Sequence, residues 1–476
     1  MQLDAPLPGE LSVGRGTAVF VCGICFAPGR RIASLALAVD SAEQPLMAHG
    51  MPRLDALRAH GTAASYRSGF WGLARIGPRA GGEPRVIGLR ARFEDGGDAT
   101  AELGRLAVAP STAPVSDAAP DVAICMAAYE PPLPLFVRQL ESIRAQTHEE
   151  WICVISDDCS TPERFAAMQA AVAGDPRFVL VRSERRLGFY RNFERALALA
   201  PTGARFVAMS DQDDRWHPDK LATLLERIGD AQLVYSDQRI VATDGRLVAD
   251  TYWGLRRNNH ADMASLLITN AVTGAASLFR RALLDDALPF PPAQFAHFHD
   301  HWIALCALAL GEIRYVDRPL YDYVQHRSAF VGHAKANRMP SLRERFASQR
   351  ISARERIRIW RMHYFVDSCR LMQFAAVLGL RCGDRMDAAK RRALERFARA
   401  DRSVVPLARL AFHGAREIIG QRRETLGGEW MLLHAFGWRH LVDANVRDRP
   451  QRRLRLDALP PIATLKSETR ADPGSR

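Results

Sequence analysis

Carboxylates at three places in this chain have the type and spacing to do chemistry. Asp157 and Asp158 follow the apolar run Trp151-Ile-Cys-Val-Ile155. Asp211, Asp213 and Asp214 follow Phe206-Val-Ala-Met209, and Asp300 stands inside His297-Phe-His-Asp-His-Trp302. Alternate carboxylates suit a hard divalent cation, Mg²⁺ or Mn²⁺, because one or two of them suffice when water and substrate phosphates complete the shell. The bland alternative for 211–214 is a solvated acidic turn. For Asp300 it is an N-cap on the apolar helix pattern Trp302–Ala309, and for Asp214 a cap near the helix that opens at Pro218. His297, His299 and His301 alternate, so an extended segment would turn them to one face, and a zinc site is conceivable on that spacing.

Regular elements must position these groups. Val122–Ala128 is continuously apolar, the pattern of a strand buried on both faces. A helical pattern, Leu135–Ile143, precedes the strand Trp151–Ile155. Pro162 opens a further helix, with Ser160 or Thr161 as its cap. Phe178–Val181, the helix Phe189–Leu199 and the strand Arg205–Met209 follow. Alternation of this kind predicts an α/β unit with a parallel sheet. Ligands bind such sheets at the carboxyl ends of the strands, where both Asp clusters would stand. Arg191 and Asn192 read equally as diphosphate contacts or as a surface Arg and a packed Asn.

The flanks have a different character. Residues 1–110 carry short apolar runs between Gly, Pro and Asp turns, the signature of a small β-sandwich. Tyr66 and Trp71 there could form a carbohydrate platform or belong to the core. Residues 111–120, within a Pro/Ser/Ala-rich stretch, read as a linker, and 121–334 as the α/β unit. Residues 335–447 read as basic amphipathic helices, and 448–476, rich in Pro and Arg, as a disordered tail. With 476 residues, 47% of them apolar, the chain is too long for one small domain and too apolar for wholesale disorder.

Of the net charge of +12, residues 335–476 hold +16 (31 Lys+Arg against 15 Asp+Glu), which leaves −4 for 1–334. No nucleic-acid reader motif accompanies the basic third. Its arginines suit either an anionic membrane surface or a solvated bundle packed on the α/β unit. Eight scattered cysteines, one Cys22/Cys25 pair among them, lack the spacing of a zinc or redox site and fit a reducing cytoplasm. The first sixteen residues lack a basic n-region, and no apolar run approaches the ~20 residues of a membrane span. A cytoplasmic protein, or one at the inner face of a membrane, is expected.

The ordered segments AICMAAYE, SDDCST, LGFYRNFERAL, SDQDDRWHPDKL, TGAASLFRRALL, HDHWIAL and QHRSAFVGH resemble family 2 glycosyltransferases, of GT-A (Rossmann-like) fold. SDQDD with Trp216, Lys220 and the downstream HDHW resembles the rhamnosyltransferase-like branch. The resemblance covers about residues 121–334. It implies transfer of a sugar from a nucleoside-diphosphate donor to a glycan or lipid-linked acceptor. Ala128, Tyr129, Glu130, Asp157, Asp158 and Asp211 would line the donor nucleotide pocket, and Asp213 with Asp211 would ligate Mg²⁺ or Mn²⁺. Asp300 would be the catalytic base of an inverting displacement. Thr273, Gly274, His299, Gln325, His326 and Arg327 would lie toward the acceptor or the diphosphate. Three departures stand out. Met126–Glu130 replaces a Pro-Thr-Tyr-Asn type of strand end. Cys159 replaces a common Gly, so its turn must accept a Cβ. The Gln-x-x-Arg-Trp segment of processive members is absent, which implies single transfer. A nucleotidyltransferase is a competing class, but residues 127–132 offer no triphosphate loop. A non-catalytic glycan-binding protein is a third, opposed by the intact acidic set.

Overall fold

The computed structural model describes residues 1–78, 83–109, 112–253, 257–292, 297–325, 352–401, 404–419 and 424–443. His326, Arg327 and the tail 448–476 lie outside the described residues.

The N-terminal region folds into two facing sheets. One orders Gln2–Leu3, Thr17–Ile24, Gly69–Ile76 and Ala48–Met51; the other orders Glu10–Leu11, Asp98–Val108, Arg85–Phe93, Ile32–Val39 and Ala42–Pro45. Val19, Val21 and Phe70 meet Leu37, Ile87 and Leu89 between the sheets. The strand Thr17–Ile24 is buried along its whole length, because its other face (Ala18, Phe20, Cys22) joins the main core of the molecule. A strand covered on both faces reads as an unbroken apolar run, as this one does. Tyr66 and Trp71 are buried, so they form no exposed sugar platform. Trp71 instead stacks on Phe20 and donates through Nε1 to the Tyr364 hydroxyl at 3.2 Å.

The central sheet orders Phe178–Arg182, Trp151–Asp157, Val122–Ala128, Phe206–Ser210, Ser277–Arg280, Leu233–Ala242, Ile313–Gln325 and Arg215–Trp216. The first four strands are parallel, as expected. The expectation of a parallel sheet fails beyond them: Ser277–Arg280 runs antiparallel to both its neighbours, and Arg215–Trp216 is antiparallel to Ile313–Gln325. An apolar run signals burial on both faces but carries no mark of direction, so the mixed half was not readable.

The C-terminal helices bind the other two parts together. Ala353–Met362, a π-helical turn His363–Ser368 and Cys369–Cys382 follow one another without a break. Cys369–Cys382 packs between the strand Thr17–Ile24 and the helix His299–Leu310. Gln373 donates to the Ala18 carbonyl at 2.8 Å. The buried Arg381 donates through Nε to the carbonyl of Gly16 and through Nη1 to those of Asp286 and Ala287 at 2.6–3.0 Å, which offsets part of the cost of burying a guanidinium; its Nη2 has no hydrogen-bond partner among the described residues. The Pro/Ser/Ala-rich stretch is also docked: Val115 N–H donates to the Leu199 carbonyl and Thr202 N–H to that of Ser116. Among the described residues no helix is long and apolar enough to cross a membrane.

Candidate active site

Register sets the floor of the site. Ala128 pairs with Asp157 and Met126 with Ser210, so three strands end almost level, and Tyr129, Asp158 and Asp211 emerge at one edge. Gln212 ties two of these ends together. Its Oε1 accepts from Tyr129 N–H at 2.8 Å, and its Nε2 donates to the Tyr129 carbonyl at 3.2 Å. The Tyr129 ring is exposed at the mouth, with the Arg186 guanidinium 4.2 Å over its face, a cation–π contact. Nothing in the sequence alone marks Gln212 or Arg186 as a site residue. Both carry polar groups that point to the site only once the loops are folded.

The station at Asp157–Asp158 is fully engaged with protein. Asp157 is buried and accepts from Ser160 N–H at 3.1 Å, with Arg182 Nε 3.6 Å away. Asp158 accepts Leu187 N–H on one oxygen and Gly188 N–H on the other, the latter at 2.9 Å, at the entrance to the helix Phe189–Ala198. Burial raises its carboxyl pKa, and these two amides oppose the rise. Glu130 N–H donates to Ser160 Oγ, and its carboxylate accepts from Thr161 N–H at the start of the helix Pro162–Val172. Cys159 sits at φ 62°, the left-handed conformation that its turn demands and that a Cβ makes costly. Asn192 is the packed alternative: it bonds Ala128 O, Ser156 O and Ser156 Oγ. Arg191 pairs with Glu194 and reaches the Phe290 carbonyl.

The second station is electrostatically strained. Burial raises the Asp211 carboxyl to about 7, with Asp213 and Asp300 adding negative charge and Lys220 opposing. Asp214 is buried beneath them. One oxygen accepts from Val324 N–H at 3.3 Å and the other has no partner. It therefore belongs to the floor of the cluster and caps nothing; the helix Lys220–Ile228 has Asp219 at its N-cap. Gln325 follows Val324 at the strand end, paired with Ala242. Lys220 is fully buried, its Nζ 2.5 Å from the Ala275 carbonyl and 3.6 Å from the Trp216 ring centre. Burial pushes Lys220 down and Asp214 up, and each opposes the other's shift.

Asp300 closes the site from the first turn of the helix His299–Leu310. Its Oδ1 accepts from His301 N–H at 2.7 Å. Burial raises its carboxyl to about 6, against the lowering effect of hydrogen bonds from His301, Gly274 and Asn270. Thr273 precedes the short turn Gly274–Ala276. A Cβ on Gly274 would meet His299 Nε2 at 2.9 Å and Asp300 Cβ at 3.3 Å, so any larger residue would press on the segment that carries Asp300. His299 stacks on Phe193, with ring centres 3.7 Å apart, and burial lowers its pKa to about 3. It is a neutral wall beside the base.

The three histidines do not converge. His297 packs on Tyr190 and Phe374, while His301 bonds the Leu266 carbonyl at 2.7 Å. The segment turns helical at His299, so alternate residues cease to share a face. Among the described residues no group of three His, Cys, Asp or Glu is disposed to hold a metal unaided. A further cation comes from the C-terminal helices. Arg370 lies one turn before Phe374, which packs against His297, His301 and Trp302. Its charge interacts with Asp300 and Asp367. Arg370 sits 70 residues beyond Asp300 in a region that reads only as basic helix, so nothing in the sequence connects the two.

Residues 123–288 match the family model described as glycosyl transferase family 2. The succinoglycan biosynthesis protein ExoO of Rhizobium meliloti is 32% identical over 155 residues, 32% of this chain and 41% of that protein. The uncharacterized protein y4gI of Sinorhizobium fredii is 32% identical over 130 residues, 26% of this chain and 14% of that one. The matches thus span less than half the length of these relatives. Among solved structures, S. aureus TarS 1-349 in complex with UDP-GlcNAc superposes with a TM-score of 0.41 at 14% identity, covering 69% of this chain and 91% of that chain. The family match and the relatives support a glycosyltransferase domain in the central part of the chain.

Proposed function

We propose that residues 121–334 carry out a metal-dependent, inverting transfer of a sugar from a nucleoside-diphosphate donor to an acceptor hydroxyl. The setting would be synthesis of cell-surface polysaccharide or glycolipid, in the cytoplasm or at the inner face of a membrane. The supporting observation is that Asp211, at the carboxyl edge of the sheet, feels the negative charge of both Asp213 and Asp300, with Asp211 and Asp213 inside the segment that matches the family.

The donor set suits Mg²⁺ or Mn²⁺. All candidate ligands are carboxylate oxygens. The raised Asp211 and the orphaned Asp214 oxygen both register uncompensated negative charge that a cation would relieve. Asp213 and Asp211 would hold the ion; Asp214, buried below, would not touch substrate. When bound, the ion neutralises a departing diphosphate, an effect worth several kcal/mol. Tyr129 and Arg186 would flank the nucleotide at the mouth. Asp157, Asp158 and Glu130 would shape that pocket through the loops they fix. Asp300 would take the proton from the acceptor hydroxyl as its oxygen attacks the anomeric carbon, and a single displacement inverts that carbon. A base near pKa 6 is ionised at neutral pH yet retains proton affinity, the compromise that general base catalysis favours.

A donor screen reading nucleoside-diphosphate release, with and without EDTA, tests the proposal. Release from at least one nucleotide sugar, abolished by EDTA and restored by Mg²⁺ or Mn²⁺, is expected. Release that EDTA leaves intact would remove the metal. Pyrophosphate produced from a nucleoside triphosphate and a sugar phosphate would replace the reaction class.

A further inference from the structure

A cavity of about 360 Å³ lies away from the acidic cluster, between the helix Met263–Ile268 and the C-terminal helices Ala388–Ala398, Val404–Ile419 and Gly428–Gly437. That volume falls at the low end of the ~300–1,000 Å³ typical of small-ligand sites. Its walls are apolar side chains, among them Ile268, Phe397, Leu410 and Leu432, while Arg396 and Arg409 stand exposed among its lining residues. Phe412, which also lines it, is 60% exposed, as is Val405 on the same helix. An apolar interior, an arginine rim and large apolar side chains left in water form an amphiphilic surface on one side of the molecule.

We propose that this cavity takes an alkyl chain of an anionic phospholipid at a bilayer surface, with Arg396 and Arg409 against the headgroup phosphate and Phe412 in the interface. Charge complementarity selects the occupant. The helix Ala388–Ala398 carries Lys390, Arg391, Arg392 and Arg396 against the single acid Glu395, and Arg399 follows it. Of these, Arg396 lines the cavity, together with Arg409 from the next helix, and this pair, backed by the basic helix, repels a basic segment and attracts a phosphate. Glu429, the acid among the lining residues, is buried and bonded to the Thr425 hydroxyl; burial raises its pKa, which weakens its opposition to an anion. Arginine near an anionic surface and aromatic side chains at the interface are the usual elements of peripheral attachment. The inference does not depend on the transfer chemistry.

Co-sedimentation of the full chain with phosphatidylcholine vesicles, with and without phosphatidylglycerol, tests it. Binding to the anionic vesicles and at least about tenfold less to the neutral ones is expected. Replacing two arginines, R396E with R409E, should weaken anionic binding by about tenfold or more. Phe412→Ser, at a largely exposed position and checked for an unchanged melting temperature, should weaken it severalfold, and so should the cavity-filling Ala393→Phe, which leaves the charge unchanged. Equal binding to both vesicle types would overturn the phosphate contact. Anionic binding untouched by both Phe412→Ser and Ala393→Phe would reduce the site to a charged surface and overturn the chain-binding cavity.

Discussion

Two pairs of aspartates stand at the same edge of one sheet and differ in what surrounds their carboxylates. Asp157 accepts from the backbone amide of Ser160, and Asp158 from those of Leu187 and Gly188. Asp211 feels the charges of Asp213 and Asp300, and burial with those charges drives its carboxyl to about 7. One pair gives its lone pairs to the protein and fixes loops. In the other, Asp211 lies desolvated among like charges, which favours a cation or a proton there. Active sites concentrate perturbed titrations of the second kind, so the contrast separates the residues that hold the site from those proposed to work in it.

The sharpest test is Asp300→Asn. The amide keeps the shape and can still accept from His301 N–H, but it cannot take a proton. Transfer should fall by about 10²–10⁴-fold, while donor binding, read by calorimetry, stays near the parent value. Undiminished transfer would move Asp300 to the structural side of the comparison. Asp213→Ala comes next. Loss of a cation ligand should cost about 10²-fold or more in transfer, since several kcal/mol of charge stabilisation are at stake, and should raise the Mn²⁺ concentration needed for half-maximal rate. Full activity at unchanged metal demand would leave 211–214 as an acidic turn.

Proton linkage gives a third test. The raised Asp300 carboxyl, near 6 without a cation, is competent as a base only when ionised. Activity should therefore hold above that pKa and fall about tenfold per pH unit below it. A positive ion nearby favours the carboxylate, so the midpoint with metal bound should lie at or below about 6. An acid limb that persists unchanged in Asp300→Asn would assign it to another group. Asp158→Asn should behave differently. It swaps one of two acceptors facing Leu187 and Gly188 for a donor, so the expected cost is stability, about 1–3 kcal/mol by denaturant melting. Faster amide exchange at Leu187 and Gly188 should accompany it. A hundredfold loss of transfer with unchanged stability would place Asp158 with the working group.

How much of this was legible follows from range. The parallel strands, their helices and the acidic edge rest on local patterns of apolar runs and caps, and the sequence carries them directly. The antiparallel insertion of Ser277–Arg280 does not, because burial patterning is blind to direction. The difference between Asp158 and Asp211 was also hidden. Both follow buried strands, and only the loop at Leu187–Gly188, some thirty residues on, decides which carboxylate receives backbone amides. Gln212 clamping Tyr129, Lys220 buried under the acids and Arg370 arriving from the C-terminal helices are likewise products of tertiary packing. The basic third looked like a separate region. Its arginines divide into buried ones such as Arg381, which tie the sandwich to the α/β unit, and exposed ones such as Arg396.

The smallest effect tests the rigidity of the working side. Gly274 has an ordinary backbone conformation, so Ala there brings no torsional strain; the cost is contact alone. The added methyl would meet His299 Nε2 at 2.9 Å and Asp300 Cβ at 3.3 Å. His299 has little room to retreat, because its ring lies flat on Phe193. The helix start that carries Asp300 must then shift by a few tenths of an ångström. Gly274→Ala should lower transfer severalfold, mainly in kcat, with little change in melting temperature, since misplacing a base costs rate before it costs stability. A variant with parental kcat and a clearly lower melting temperature would mean that the Gly274–His299–Asp300 contact serves the fold, and the division between holding and working residues would have to be redrawn on that side.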